Sequence, residues 1–152
     1  MASYLITGVS RGIGRALSER LLTAGHQVYG LARTADSAAD LELAGLLTAD
    51  LSVPESLEAA LAPWLAALTE LDGVVHCAGI VRPGTLAGSA PADFAEQFTV
   101  NVTAVAELTR LLLPALRAAA GTVVFVNSGS GLNARPPLTS YGASKCALRA
   151  YA

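Results

Sequence analysis

Charge is scarce in this chain. Of 152 residues only 14% are charged, and the formal net charge is −2. The basic residues are scattered singly and form no phosphate-tracking stripe, so nucleic acid is excluded as a partner. With 53% hydrophobic residues and almost no net charge, the composition is the reverse of a disordered one. Long apolar runs are missing as well. No segment approaches the roughly 18–20 uninterrupted apolar residues of a membrane span. The richest stretch, Val102 to Leu116, is broken by Glu107, Arg110 and Pro114 and reads as a buried helix. No basic segment precedes the apolar run after Met1-Ala2-Ser3, so neither a signal peptide nor a membrane partner is expected. Cysteine is limited to Cys77 and Cys146, with no CxxC pair and no His/Cys ligand spacing. That pattern fits a reduced, cytoplasmic chain with no metal site, its two thiols serving as small buried hydrophobes. Lysine occurs once, at Lys145.

What is present is an alternation of strand-like and helix-like segments from one end to the other. Tyr4-Leu5-Ile6 reads as a buried strand, and Ile13, Leu17 and Leu21 mark one face of a helix from Gly12 to Ala24, closed by Gly25. Val28–Leu31 and Leu46–Ala49 are the second and third strands. Pro54 fits the first turn of the next helix, with Ser52 a candidate cap. Val74–Cys77 is a fourth strand, a long helix runs from about Pro91 to Ala119, and Thr122–Val126 is a fifth strand. The loop from Asn127 to Pro137 leads to a last helix beginning near Ser140. Near-continuous apolar strands alternating with helices predict an α/β fold, a three-layer, doubly wound, Rossmann-like parallel sheet. The length suits one domain, residues 1–152.

Chemistry gathers first in the loop between the first strand and the first helix, Gly8-Val9-Ser10-Arg11-Gly12-Ile13-Gly14. Glycines there let the backbone approach a pyrophosphate, and the free N–H groups of the helix start face the anion. The spacing is GxxxGxG rather than GxGxxG, and its position after the first strand is what points to a dinucleotide. Ribose specificity belongs just beyond the second strand, where Arg33 stands and suits the 2′-phosphate of NADP(H) over NAD(H), with Arg11 able to approach from the loop. Asp36, three residues further on, fits a short-helix cap. Asp50-Leu51, at the end of the third strand, meets the adenine edge or serves as a turn.

The single lysine lies four residues after Tyr141, so the two share a helix face. A fixed ammonium beside a phenol favours the phenolate, which makes a tyrosine a usable acid and base near neutrality. Ser128, at the end of the fifth strand, is placed to hold a carbonyl oxygen while Tyr141 protonates it. Taken in order, Thr7-Gly8-Val9-Ser10-Arg11-Gly12-Ile13-Gly14, Asp50-Leu51, Cys77-Ala78-Gly79, Asn101, Ser128 and Tyr141-x-x-x-Lys145 resemble the short-chain dehydrogenase/reductase family over essentially the whole chain. The resemblance implies an NADP(H)-dependent oxidoreductase interconverting a small-molecule carbonyl and an alcohol. In it Tyr141 transfers the proton, Lys145 also binds the nicotinamide ribose, Ser128 orients substrate, and Asn101 holds a water in a relay from Lys145. On residue chemistry alone, Asn101 would face solvent from mid-helix.

Two departures accompany the resemblance. Where the family has Asn-Asn-Ala-Gly the chain has His76-Cys77-Ala78-Gly79, so the central strands must be braced differently, and His76 is expected to be satisfied by backbone. Family members also continue well beyond this length, so the chain looks like an N-terminal portion, incomplete at the C-terminal end, within the helix carrying Tyr141 and Lys145. That leaves a second reading, a truncated, non-catalytic nucleotide-binding or oligomerising chain. A homo-oligomer (dimer or tetramer) is implied by the family, with Leu108, Leu111, Leu112 and Leu116 as apolar material for the contact beyond what their own core takes. An S-adenosylmethionine methyltransferase shares the glycine loop, but it wants an acid where Arg33 stands and has no use for Tyr141 and Lys145.

Overall fold

Strands β1 (Ser3–Thr7), β2 (Gln27–Ala32), β3 (Gly45–Thr48), β4 (Gly73–His76) and β5 (Thr122–Phe125) lie side by side in a computed structural model that describes residues 1–133 and 135–152. All neighbours are parallel, in the order β3-β2-β1-β4-β5. Register is tight along the centre: Leu5 pairs with Tyr29 on one side and Val74 on the other. The strand order reverses at β1, because the chain builds β2 and β3 outward and then returns to place β4 on the other side of β1. In an open sheet of this kind the crevice at the carboxyl ends on either side of that reversal is where ligands bind.

Helices cover both faces, as strand alternation requires. Leu5 belongs to a core with Leu31, Leu71 and Val74, roofed by Leu57 and Leu61 of α2 (Leu57–Ala67) and by the long helix. Its neighbour Ile6 points the other way, into a second core with Val9 and Val28 under Leu17, Leu21 and Leu22 of α1 (Gly12–Thr23). The result is the three-layer, Rossmann-like arrangement. α2 is preceded by a short 3₁₀ turn over Pro54–Ser56, and Ser52 does not cap it. Its N–H and hydroxyl both donate to Asp50 Oδ1 at 2.8 Å, closing an Asx turn instead.

The long helix is three pieces in one: α3 (Pro91–Phe98), a π-turn over Thr99–Thr103, and α4 (Ala104–Ala118). At 28 residues it is long and apolar enough to cross a membrane by length and composition. Its apolar stripe, Val100, Ala104, Leu108, Leu112 and Leu116, is buried on the sheet. This corrects the partner-contact expectation: Leu108, Leu112 and Leu116 are core residues, and Leu111 packs half-buried against the same core. α5 (Thr139–Tyr151) lies against α3 and the π-turn.

Candidate active site

β1 ends at Thr7 and α1 begins at Gly12, so the intervening loop turns sharply, with Gly8 at φ +72° and Gly12 at φ +61°. Side chains rarely adopt such values. Gly14 is required for a different reason: a methyl group there would lie 2.5 Å from the Gly8 carbonyl oxygen, so only glycine lets the helix close onto the loop. Arg11 caps the helix in extended conformation without a side-chain hydrogen bond, and the first turn carries no acid. The leading N–H groups of α1 therefore keep their capacity for an anion.

These groups line a cleft of about 470 Å³ at the strand-order reversal. Gly8, Ser10, Arg11, Gly12, Ile13 and Gly14 form one wall, and Arg33, Asp50, Leu51, Cys77, Ala78 and Gly79 line the rest, so every cofactor-side residue expected from the loop and strand ends opens onto one space. Ile13 is 64% exposed, an apolar side chain offered to that space. Among the described residues neither Arg11 nor Arg33 makes an ion pair, whereas nearby Arg15 pairs with Glu19 and Asp40. The Asp50 carboxyl is held below its usual range, first by the Ser52 N–H, then by the Ser52 hydroxyl and the charge of Arg33. The turn reading of Asp50 thus describes its carboxylate, while Leu51 lines the cleft.

The strand ends are braced without the family's amide pair. Thr7 Oγ1 accepts the Ala78 N–H at 3.0 Å, tying β1 to the end of β4 (Gly73–His76). His76 is buried, its ring stacked on Phe125 at 5.3 Å, and Nε2 meets Thr109 Oγ1 at 2.9 Å. A side-chain hydroxyl, and not backbone, satisfies it, because α4 brings Thr109 Oγ1 to the edge of the ring at Nε2. The Cys77 thiol is half-buried, and its pKa is raised by that burial. Cys146 departs from expectation: it is exposed on α5, two residues past the buried Ser144 and so on the far side of the helix from the stripe of Ser140, Ser144 and Leu148.

On α5 the Lys145 side chain is buried, and Nζ donates to the Val126 carbonyl at 2.9 Å while lying 5.9 Å from the centroid of the Tyr141 ring. Burial lowers the lysine's pKa. A methyl group on Gly79, which lines the cleft, would fall 3.8 Å from that Nζ and 3.1 Å from Asn101 Oδ1, so the ammonium stands beside the cleft wall at Gly79, with the buried Asn101 amide behind it. Ser128 Oγ accepts the Ser130 N–H at 3.2 Å, and Asn127 Nδ2 donates to the Lys145 carbonyl, fastening the loop after β5 to α5. Among the described residues no hydrogen bond joins the side chains of Ser128, Tyr141 and Lys145 to one another. Their common frame is the backbone that holds them.

Asn101 is fully buried in the π-turn, not solvent-facing. Its Oδ1 accepts the Ile80 N–H at 2.9 Å, and its Nδ2 donates to the Ile80 carbonyl and to Ser144 Oγ, both at 3.0 Å. Both amide hydrogens are spent on protein, so a water in the relay implied by the family would have to be held by other atoms of this residue. No motif in the sequence marks Gln97, Ser140 or Ser144, which are buried, nor Ile80, Arg82, Glu96 and Val100, which line the cleft. A signal for the first three exists in hindsight: amides at 97 and 101 and hydroxyls at 140 and 144 each repeat at helical spacing.

Sheet order, switch-point cleft and glycine turn are those of the Rossmann-like class of nucleotide-binding folds. Within that class the chain belongs to the short-chain dehydrogenase family, whose profile matches residues 3–152. It is 36% identical over 154 residues to the uncharacterized oxidoreductase YbbO of Escherichia coli strain K12, covering 98% of this chain and 57% of that protein. It is 34% identical to the NADPH-dependent pterin aldehyde reductase of Arabidopsis thaliana, covering 96% of this chain and 64% of that one. A short chain dehydrogenase from Escherichia coli CFT073 complexed with NADPH superposes with a TM-score of 0.92 at 27% identity, over 99% of this chain and 68% of the other. The chain thus spans a little under two thirds of the length of these curated relatives.

Proposed function

We propose that residues 1–152 form one dinucleotide-binding unit of an NADP(H)-dependent oxidoreductase that interconverts a carbonyl compound and a secondary alcohol. The observation that carries this reading is convergence. The glycine turn, the ends of β2, β3 and β4, and Lys145 Nζ all meet around one cleft and its rim. The donor set fits a dinucleotide: the leading N–H groups of α1 suit the pyrophosphate, and two guanidinium groups that make no ion pair among the described residues, Arg11 and Arg33, suit a 2′-phosphate. The NADPH dependence of the pterin aldehyde reductase and the NADPH bound in the solved relative support the phosphorylated cofactor. Bound there, it supplies or accepts hydride.

The chain's own residues handle the proton. Ser128 Oγ already accepts from the Ser130 N–H, which leaves its hydroxyl hydrogen free to donate to a substrate oxygen. Tyr141 gives its phenolic proton to the same oxygen in reduction and takes it back in oxidation. Lys145 spends one hydrogen on the Val126 carbonyl, keeps two for ribose hydroxyls at the cleft rim, and holds its charge over the Tyr141 ring.

The test is reduction of a panel of simple aldehydes and ketones by NADPH, comparing the protein with Tyr141→Phe. Turnover should fall by about 100-fold or more, the usual contribution of a positioned acid, while NADPH affinity read from nicotinamide fluorescence changes little. Undiminished turnover would remove Tyr141 from its role.

A further inference from the structure

Gln97 is a polar side chain with no exposed surface, and the mechanism above does not use it. Its Oε1 accepts the Arg82 N–H at 2.9 Å, and its Nε2 donates to the Asp93 carbonyl at 3.0 Å and to Ser140 Oγ at 2.6 Å. One turn later Asn101 repeats the pattern with the Ile80 N–H and Ser144 Oγ. The two amides therefore form parallel rungs. Each takes one N–H of the extended segment leaving β4, at positions 80 and 82, and each reaches one serine of α5. The next alternate position, Gly84, is fastened to the start of α5 by backbone alone, donating to the Pro137 carbonyl and accepting from the Thr139 N–H.

Ser140, Ser144 and Leu148 are the buried stripe of α5, spaced four apart. Tyr141 and Lys145 follow each serine by one residue, about 100° around the helix. The orientation of the Tyr141/Lys145 stripe is therefore set by whatever holds the serine stripe. An apolar contact such as Leu148 is non-directional, whereas an amide with both hydrogens and its oxygen committed admits one rotation and one axial position. The segment at the other end of the rungs carries Ile80 and Arg82, which line the cofactor cleft.

Resting on the reading of Tyr141 as proton donor, we infer that Gln97, through Ser140, is a positioning residue that sets the facing of Tyr141 against the cofactor cleft. Asn101 is the rung below Lys145; Gln97 is the rung below Tyr141. Loss of the upper rung leaves α5 held by a side chain at Ser144 and by backbone alone at Thr139, so the turn between them, where the proton is donated, loses its directional side-chain anchor.

The experiment uses the full-length protein with NADPH and a panel of simple aldehydes, and compares Gln97→Met, Ser140→Ala and Tyr141→Phe. Active sites are counted by NADPH fluorescence, so misfolded protein does not enter the rate. Both rung variants should lower kcat per active site by about 10- to 100-fold, the scale of a sub-ångström to 1 Å misplacement, with NADPH affinity unchanged. The solvent deuterium isotope effect on kcat should rise, because proton donation becomes slower. A structural role alone lowers the melting temperature and leaves the isotope effect where it was; that result, with kcat per site unchanged in either variant, overturns the inference. If Tyr141→Phe turns over normally, the reading of Tyr141 fails and the inference falls with it. If Tyr141→Phe is inactive and the rung variants are normal, only the inference fails. Ser140→Ala removes a single oxygen, so it reports even where Gln97→Met fails to fold.

Discussion

Arg33 follows β2 beside Asp50, exposed on the cleft and, among the described residues, without an ion pair, while Arg11 lines the same cleft from the glycine turn. A charge-assisted hydrogen bond to a 2′-phosphate is worth about 1.5–3 kcal/mol, roughly 10- to 100-fold in affinity. Arg33→Ala should therefore weaken NADPH by that factor and leave NADH nearly unchanged in a fluorescence titration; an equal loss for both would take the 2′-phosphate away from Arg33. His76 offers a second single-residue test. The Thr109 hydroxyl donates to the Val105 carbonyl, so toward His76 it accepts, and the ring is the neutral Nε2–H form. Burial holds its pKa down from 6.5 to about 4. The unfolded chain thus binds a proton that the fold refuses. Stability from this group is whole above about pH 6.5 and is lost as pH falls toward 4, by on the order of 3 kcal/mol. His76→Phe keeps the stack on Phe125 and leaves no donor unpaired, so its urea midpoint should fall less than the wild type's over that window. Parallel acid limbs would contradict this account.

At the scale of elements, the sequence pattern marks the five strands and the longer helices but not the 3₁₀ turns Ala35–Ala38 and Gly129–Gly131, and the glycine turn marks the cleft, because burial and backbone strain leave direct marks on residue type. What the periodicity does not carry is the π-turn at Thr99–Thr103, since the apolar stripe runs through it at unchanged spacing from Val100 to Leu116. Nor does it carry partners: a buried Asn101 and an exposed one look alike until Ile80 and Ser144 are brought beside it by the fold. Cys146 is the converse, a residue type usually buried that here lies off the stripe of α5. The leucines of α4 illustrate how the two sources combine. Leu108 is fully buried between helix and sheet, so Leu108→Ala removes core contacts and leaves a cavity, at a cost of about 3–5 kcal/mol. Equilibrium urea denaturation should show that loss directly. A variant of unchanged stability would instead return Leu108 to the surface contact expected from sequence.

The whole molecule is tested by the ligand that would bridge it. The cleft draws on the turn after β1 and the ends of β2, β3 and β4, that is, on four of the five strands and on α1. All of these lie within the 152 residues, although the chain spans only 57–64% of the length of the curated relatives described above. A ligand that contacts every one of these strand ends binds only when the sheet is assembled, so its binding free energy adds to folding stability. At 100 times the dissociation constant the gain is about 2.7 kcal/mol. For a chain of this size that raises the melting temperature by roughly 5–10 °C. NADPH should produce such a shift in this chain, and NADH at the same concentration a smaller one, because only the former carries the 2′-phosphate that we propose Arg11 and Arg33 hold. A melting temperature indifferent to both nucleotides would mean that the switch-point cleft does not bind a dinucleotide in this chain. Any turnover assigned to Tyr141 would then depend on chain outside these 152 residues.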